Sequence, residues 1–169
     1  MSINLFFLLA FGFLMGMFGY FSPNYTVPKD SAEIPTIELS NFTLYEISKR
    51  GIDHILEGEE GKKFEAYYAV TSAKFSDNTK NLFQTIRADN AVHRSDILKL
   101  NGNVHYVRED GLEFRSQEGT YNSKTSNIHT ESSFTITQNG SRVDGNSLLY
   151  NTQQDTVSAN KIHAIYQLK

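Results

Sequence analysis

Tyr121-Asn122-Ser123-Lys124-Thr125-Ser126-Asn127-Ile128 returns twenty-nine positions later as Tyr150-Asn151-Thr152-Gln153-Gln154-Asp155-Thr156-Val157. The same offset carries Gly111 onto Gly140, Phe114 onto Val143 and Ile136 onto Ile165. A fainter copy lies upstream, where Val92 leads to Leu98, Leu100, Val104 and Tyr106, with its tail offset by thirty. A fixed period of this kind marks one supersecondary unit used repeatedly, none of which buries its apolar face alone. Within each unit apolar residues alternate with polar ones, as in Val104/Tyr106, Leu112/Phe114 and Phe134/Ile136. Period two is the pattern of half-buried strands. Asn101-Gly102, Asp110-Gly111 and Asn139-Gly140 accept positive φ and read as hairpin turns. Val92–Tyr166 therefore predicts a meander of short antiparallel strands, and the fold class is mainly β.

Composition narrows the rest. The 169 residues leave room for one domain and an appendage. All three prolines (Pro23, Pro28, Pro35) precede residue 36, so the remainder is free of a residue that interrupts strand ladders. There is no cysteine, which excludes disulfide frameworks, thiolate metal sites, cysteine nucleophiles and a lipoprotein anchor. A net charge of −3 argues against a nucleic-acid binder, which would show a basic face.

Residues 1–28 contain no Asp, Glu, Lys or Arg. Ile3–Phe21 is almost wholly apolar, and nineteen helical residues span roughly 28 Å, close to a bilayer's hydrocarbon core. No basic segment precedes the run and no A-x-A-like site follows it, so a retained anchor over 1–21 is expected rather than a cleaved signal. Gly12-Phe-Leu-Met-Gly16 is a G-x-x-x-G, through which Gly12 and Gly16 would let another membrane helix approach. Residues 22–35 read as a Pro-containing tether and 36–169 as the β domain.

From Ile37 the alternation begins. Phe42/Leu44 and Tyr45/Ile47 give a first strand turned at Lys49-Arg50-Gly51, and Ile52–Leu56 a second, ended by an acidic turn at Glu57–Gly61. Phe64, Ala66, Tyr68 and Val70 share one face; Leu82, Ile86, Ala88 and Val92 share another. Ala66–Lys74 is the one later segment whose composition would also suit a helix.

A catalytic constellation is missing. The five histidines never fall at i, i+4 with further ligands, and Gly58-Glu-Glu-Gly61-Lys62-Lys63 lacks the spacing of a P-loop. No G-x-S-x-G elbow occurs. No catalytic residue, metal ligand or cofactor is expected. Alternation alone fits two interiors. Phe64, Tyr68, Val70, Leu82, Ile86, Leu98, Leu100, Val104, Phe114, Ile136 and Val143 would point inward by parity, either as a packed core or as the lining of a lipid groove. On pattern alone the packed core is the simpler expectation.

The order and spacing of several loose motifs resemble a known family. An N-terminal anchor and polar tether precede Leu98-Lys-Leu100-Asn-Gly102-Asn-Val104-His-Tyr106, Gly111–Phe114, Gly119-Thr-Tyr121-Asn122, Phe134-Thr-Ile136 and Val143-Asp-Gly145. Over essentially the whole chain this resembles the LptC family of the bacterial lipopolysaccharide export system. The resemblance implies a twisted open β-jellyroll of two sheets, as in OstA/LptA-like domains, standing in the periplasm on a single inner-membrane helix. It implies lipopolysaccharide as cargo, passed from the inner-membrane ABC transporter LptB/LptF/LptG to periplasmic LptA, with ATP hydrolysis left to the transporter. An open jellyroll has unpaired edges, and the last strand would offer Ile162, Ile165 and Tyr166 to the next unit. The alternative is a membrane-anchored periplasmic structural or assembly domain with a closed core and no lipid.

Overall fold

The computed structural model describes residues 33–167 apart from 50, 80 and 155. The expected anchor, including Gly12 and Gly16, and the tether up to residue 32 lie outside them. Among the described residues nine strands run in sequence: β1 (Ile37–Ser48), β2 (Gly51–Lys63), β3 (Tyr68–Asp77), β4 (Gln84–Arg94), β5 (Ile97–Arg108), β6 (Glu113–Asn122), β7 (Asn127–Gln138), β8 (Ser141–Asn151) and β9 (Thr156–Ile165). Each pairs antiparallel with its predecessor and successor, in spatial order β1 to β9. They form one open sheet where two were expected, and β1 and β9 are its edges.

The single sheet is bent through the middle of its strands. Asn41, Ser72, Asn103, Ser147 and Lys161 all lie mid-strand with φ between 48° and 52°. Such values are uncommon for residues bearing a Cβ. On the pairings from β4–β5 to β8–β9 the register also shifts near the strand centres, as a bulge does when it adds a residue and turns the strand. Asn101-Gly102 belongs to this device and is not the hairpin turn it was expected to be. Gly102 (φ 77°) sits inside β5, where Asn103 donates a side-chain hydrogen bond to Asp89 at 2.8 Å. Likewise Glu57–Gly61 is no turn, because β2 continues through it to Lys63. Ala66–Lys74 is strand rather than helix from Tyr68 onward.

The two halves of the bent sheet share an interior. Ala88 and Val104 on one side of the bend pack with Leu100 on the other, and Ile86, Phe114, Ala91 and Leu98 close around them. Phe134 is buried nearby, its ring so close to Gly145 that a Cβ there would lie 2.7 Å from Cζ. Where the β6–β7 ladder breaks, Glu118 takes over: its Oε1 accepts from Thr130 Oγ1 (2.7 Å) and from the Glu131 and Ser132 N–H groups (2.6 and 3.1 Å). These bonds satisfy backbone donors that the bulge removes from pairing.

The sequence repeat has a local cause. Asn122 Oδ1 accepts from Lys124 and Thr125 N–H, and Asn151 Oδ1 from Gln153 and Gln154 N–H, so both asparagines hold Asx turns. The next residues, Ser123 and Thr152, each donate N–H to a carbonyl of the preceding hairpin turn, Asp96 and Ser126. The repeat is the turn that clips each hairpin to the one before it. At the opposite strand ends Gly111 (φ 82°) and Gly140 (φ 81°) serve the hairpins expected there, with Asn139 (φ 49°) completing a turn of two positive φ values.

Candidate functional site

Cross-strand pairing places directly opposed residues on the same face. Following the register from edge to edge gives Leu44–Leu56–Phe75–Ile86–Tyr106–Phe114–Ile136–Val143–Ala164, one apolar or aromatic residue from every strand. Because Ile86 and Phe114 pack into the shared interior, this row lies on the inner face. The neighbouring row on the outer face is Thr43–Glu57–Lys74–Arg87–His105–Arg115–Thr135–Asp144–His163, polar throughout. Asp144 there is held down to about 2 by hydrogen bonds from Arg142 and Thr135. The half of the sheet beyond the bend repeats the inner pattern with Leu39–Gly61–Val70–Ala91–Leu100–Gly119 and with Thr130–Leu148–Ala159.

The inner face is bordered by two different lips. On the first, Glu46, His54, Asp77, Gln84 and Arg108 are successive register partners. His54 Nδ1 meets Glu46 at 2.8 Å and its Nε2 lies 3.4 Å from Asp77; Gln84 donates to Asp77 at 2.7 Å, and the Tyr106 hydroxyl donates to Gln84 at 2.8 Å. Arg108 donates twice to Asp110, which also accepts from Gln138 at 3.0 Å. Burial pushes the Asp77 carboxyl up, but hydrogen bonds from Thr79 and Gln84 outweigh it and the net shift is downward. Burial raises the Tyr106 phenol, and the Arg108 hydrogen bonds lower Asp110. The second lip is the row Lys63–Tyr68–His93–Leu98–Tyr121–Ile128–Tyr150–Val157, aromatic and apolar with a cation at one end.

The residues expected to point inward divide accordingly. Ile86, Phe114, Ile136 and Val143 stand in the nine-residue row, Val104 beside it, Val70 and Leu100 beyond the bend, and Tyr68 and Leu98 along the second lip. Phe64 and Leu82 do not belong with them. Phe64 lies in the β2–β3 turn, stacked on Tyr67 at 4.4 Å, and Leu82 lies in the β3–β4 loop. Val92, expected on the face of Ile86, pairs with Ala69 and Lys99 on the outer side, because the bend falls between them. Phe75 was missed for the same reason, and Leu56 because its strand was expected to end there, whereas β2 runs on to Lys63. Counting parity forward from Tyr68 and Val70 turns Phe75 outward; only the positive φ at Ser72 returns it to the inner face. Ile162 and Ile165 lie on edge strand β9 with Tyr166 just after it, all more than half exposed. By register Ile165 opposes Arg142 on the outer face, so the offset of twenty-nine does not match it to Ile136 in orientation.

Among the described residues no group of three or more His, Cys, Asp or Glu is placed to hold a metal. An apolar inner row that reaches both open edges, backed by a polar outer row, is a surface for an extended apolar ligand or for sheet-on-sheet packing. The family model described as lipopolysaccharide-assembly, LptC-related, matches residues 7–166. The chain belongs to the LptC-related family. Its fold is that of the OstA/LptA-like domains. A crystal structure of LptH, the LptA-homologous periplasmic component of the lipopolysaccharide transport device of Pseudomonas aeruginosa, superposes with a TM-score of 0.51 at 9% identity, over 78% of this chain and 94% of that one. A search of curated proteins finds no match. Membership of the LptC-related family assigns the chain a role in lipopolysaccharide transport.

Proposed function

We propose that the bent sheet carries lipopolysaccharide acyl chains along its inner face, receiving them from the inner-membrane ABC transporter LptB/LptF/LptG and passing them to periplasmic LptA. The row from Leu44 to Ala164 carries this reading, because it is unbroken from one sheet edge to the other. Each methylene removed from water contributes about 0.8 kcal/mol, so even part of an acyl chain is held by several kcal/mol. Equivalent side chains along the row make successive positions similar in affinity, which suits a carrier that must also release. Direction is then supplied from outside the domain. The chain's own residues bind and pass on; no step of chemistry is required of them.

Half-exposed Leu44 (48%) and Phe75 (39%) support an open groove over a closed core. Edge strands β1 and β9 present unpaired backbone and exposed apolar side chains (Ile37, Leu39, Ile162, Ile165), surfaces suited to adding a neighbour's strand. In this reading β1 faces the transporter's jellyrolls and β9, with Ile162, Ile165 and Tyr166, faces LptA. The anchor over 1–21 holds the domain at the inner membrane with Gly12 and Gly16 against the transporter's helices.

The deciding experiment is in-cell photo-crosslinking from position 114, on the inner row, and from position 115, on the outer row. A lipopolysaccharide adduct from 114 and none from 115 is expected. Adducts from neither position, in protein that is folded and membrane-inserted, would falsify the conduit and favour the closed structural domain.

A further inference from the structure

Edge strand β1 covers one side chain. Of its 12 residues only Phe42 is not exposed; Leu39 and Leu44, which face the same interior, are open to solvent. The Phe42 ring owes its cover to two missing side chains on β2. Phe42 is the register partner of Gly58, and a Cβ on Gly58 would lie 2.9 Å from its Cε1. A Cβ on Gly61, the partner of Leu39, would lie 2.7 Å from the same atom. Both distances are too short for real contacts, so the ring rests directly on bare β2 backbone. Val70 borders this bed, since its Cγ1 would lie 2.6 Å from a Cβ on Gly58. Leu44 and Leu56 belong to the apolar row on one side of the bend, Leu39 and Gly61 to the row on the other. The Phe42 ring stands between the two rows, just after the positive φ of Asn41 (49°).

The same device occurs once in the middle of the sheet, with another outcome. Phe134 rests on Gly145, but it has a strand on each side and Phe114 stacked against it, and it is buried. Phe42 has a neighbouring strand on one side only, and the inner-face residues near it, Leu39, Leu44 and Phe75, are exposed. Rotation of the Phe42 ring toward the open edge therefore meets no neighbouring strand. It would uncover a strip of β2 without Cβ atoms at Gly58 and Gly61, bordered by Val70 and leading to Leu44 and Leu56. A narrow apolar-sided strip of that kind suits an extended methylene chain, which has no branches to clash with the backbone.

We infer that Phe42 is a removable plug at the β1 edge: its ring occupies the glycine bed in the empty domain, and an arriving acyl chain displaces it. This rests on the conduit reading, in which β1 is the entry edge, and adds to it the residue that competes with the cargo there. Ring and acyl chain exclude each other from one bed, so the domain binds lipid only in the fraction of molecules whose ring is out. Apparent affinity is reduced by that fraction. The plug also keeps the apolar bed from standing bare to water between cargo molecules.

The test uses the full-length protein in detergent, with a photoreactive residue at position 114 and purified lipopolysaccharide as the probe. With the ring out in about a tenth of the molecules, removing it lowers the lipid concentration for half-maximal crosslinking about tenfold. That fall is expected in Phe42→Ala. It is not expected in Leu39→Ala, which removes an exposed β1 side chain of the inner face without clearing the glycines. Crosslinking that is weaker or unchanged in Phe42→Ala overturns the plug and leaves the conduit standing. So does an equal gain in both variants, which marks a loosened β1 rather than a cleared bed. A second measurement covers the case in which Phe42→Ala does not fold. The chain contains no tryptophan, so acrylamide quenching of F42W reports that one side chain. Quenching that rises as lipopolysaccharide is added is expected; quenching that falls or stays level keeps the ring in its bed and overturns the plug. Wild-type protein that crosslinks no lipopolysaccharide from 114 sinks the conduit, and the plug with it.

Discussion

The middle of the sheet and its edges are built from the same kinds of residue and end in different states. Phe134 on β7 is 4% exposed and stacks on Phe114 at 6.2 Å, whereas Leu44 on β1, a member of the same row as Phe114, is 48% exposed. Nothing about leucine or phenylalanine accounts for this. A central residue has a strand on each side and the other half of the bent sheet across from it; an edge residue has one neighbouring strand and open space. The interior is thus complete only in the middle, and the rows run out at β1 and β9 with their apolar side chains uncovered. Substitutions in the middle should cost stability, and substitutions at the edges should cost association.

The sharpest contrast pairs Phe134→Ala with Leu44→Ala. Removing the Phe134 ring leaves a cavity among buried neighbours and is expected to cost about 3–5 kcal/mol in denaturant unfolding. Leu44→Ala is expected to cost under about 1 kcal/mol, and equal losses at the two positions would break the comparison. Gly145→Ala attacks the same central site from the other direction. Its new Cβ would sit 2.7 Å from the Phe134 ring and 3.3 Å from the Asn160 carbonyl oxygen, at an expected cost of about 1–3 kcal/mol.

Next in size is Glu118, which holds the β7 bend. Glu118→Ala leaves three donors short of their acceptor and is expected to lose about 1–3 kcal/mol. Burial raises the Glu118 carboxyl, but the hydrogen bonds from Thr130, Glu131 and Ser132 lower it further, and it ends below the ordinary 4.5. A depressed folded value means stability present above the unfolded value and lost as pH falls through the folded one. The melting-temperature gap between wild type and Glu118→Gln should therefore narrow on acidification from about pH 6 to about pH 3. A gap that widened would show that the carboxylate does not stabilise the bend.

The smallest effect on stability belongs to the edge. Ile162→Asp and Ile165→Lys, both on exposed side chains, should move the unfolding free energy by no more than about 0.5 kcal/mol. In a pull-down with LptA the same substitutions should reduce binding severalfold. Unchanged binding would remove β9 as the docking edge.

Much of this was legible along the chain. Alternation and Asn-Gly and Asp-Gly pairs are local properties, so the strands after Val92, the turns at Asp110-Gly111 and Asn139-Gly140 and the antiparallel meander could be read directly. The twenty-nine-residue repeat is also local, since Asn122 and Asn151 act on backbone two and three residues away. The bend was not legible. Asn41, Ser72, Asn103, Ser147 and Lys161 are of three different residue types, and four of the five have no glycine beside them to announce positive φ. Parity counted through Ser72 inverts, which hid Phe75. Val92 was misplaced because β4 turns where its register with β5 shifts between Arg87 and Asn90. Leu56 was hidden because its strand was expected to end there.

By itself, then, the sequence determined that this is a strand meander with alternating faces, because those properties depend on residues close together in the chain. Only the tertiary structure decided which face is inner beyond each bend, that nine residues from nine strands align into one apolar row, and that the lips differ in charge. The physical reason is that each depends on a backbone turn at mid-strand and on partners tens of residues apart. No residue carries that information in its own side chain.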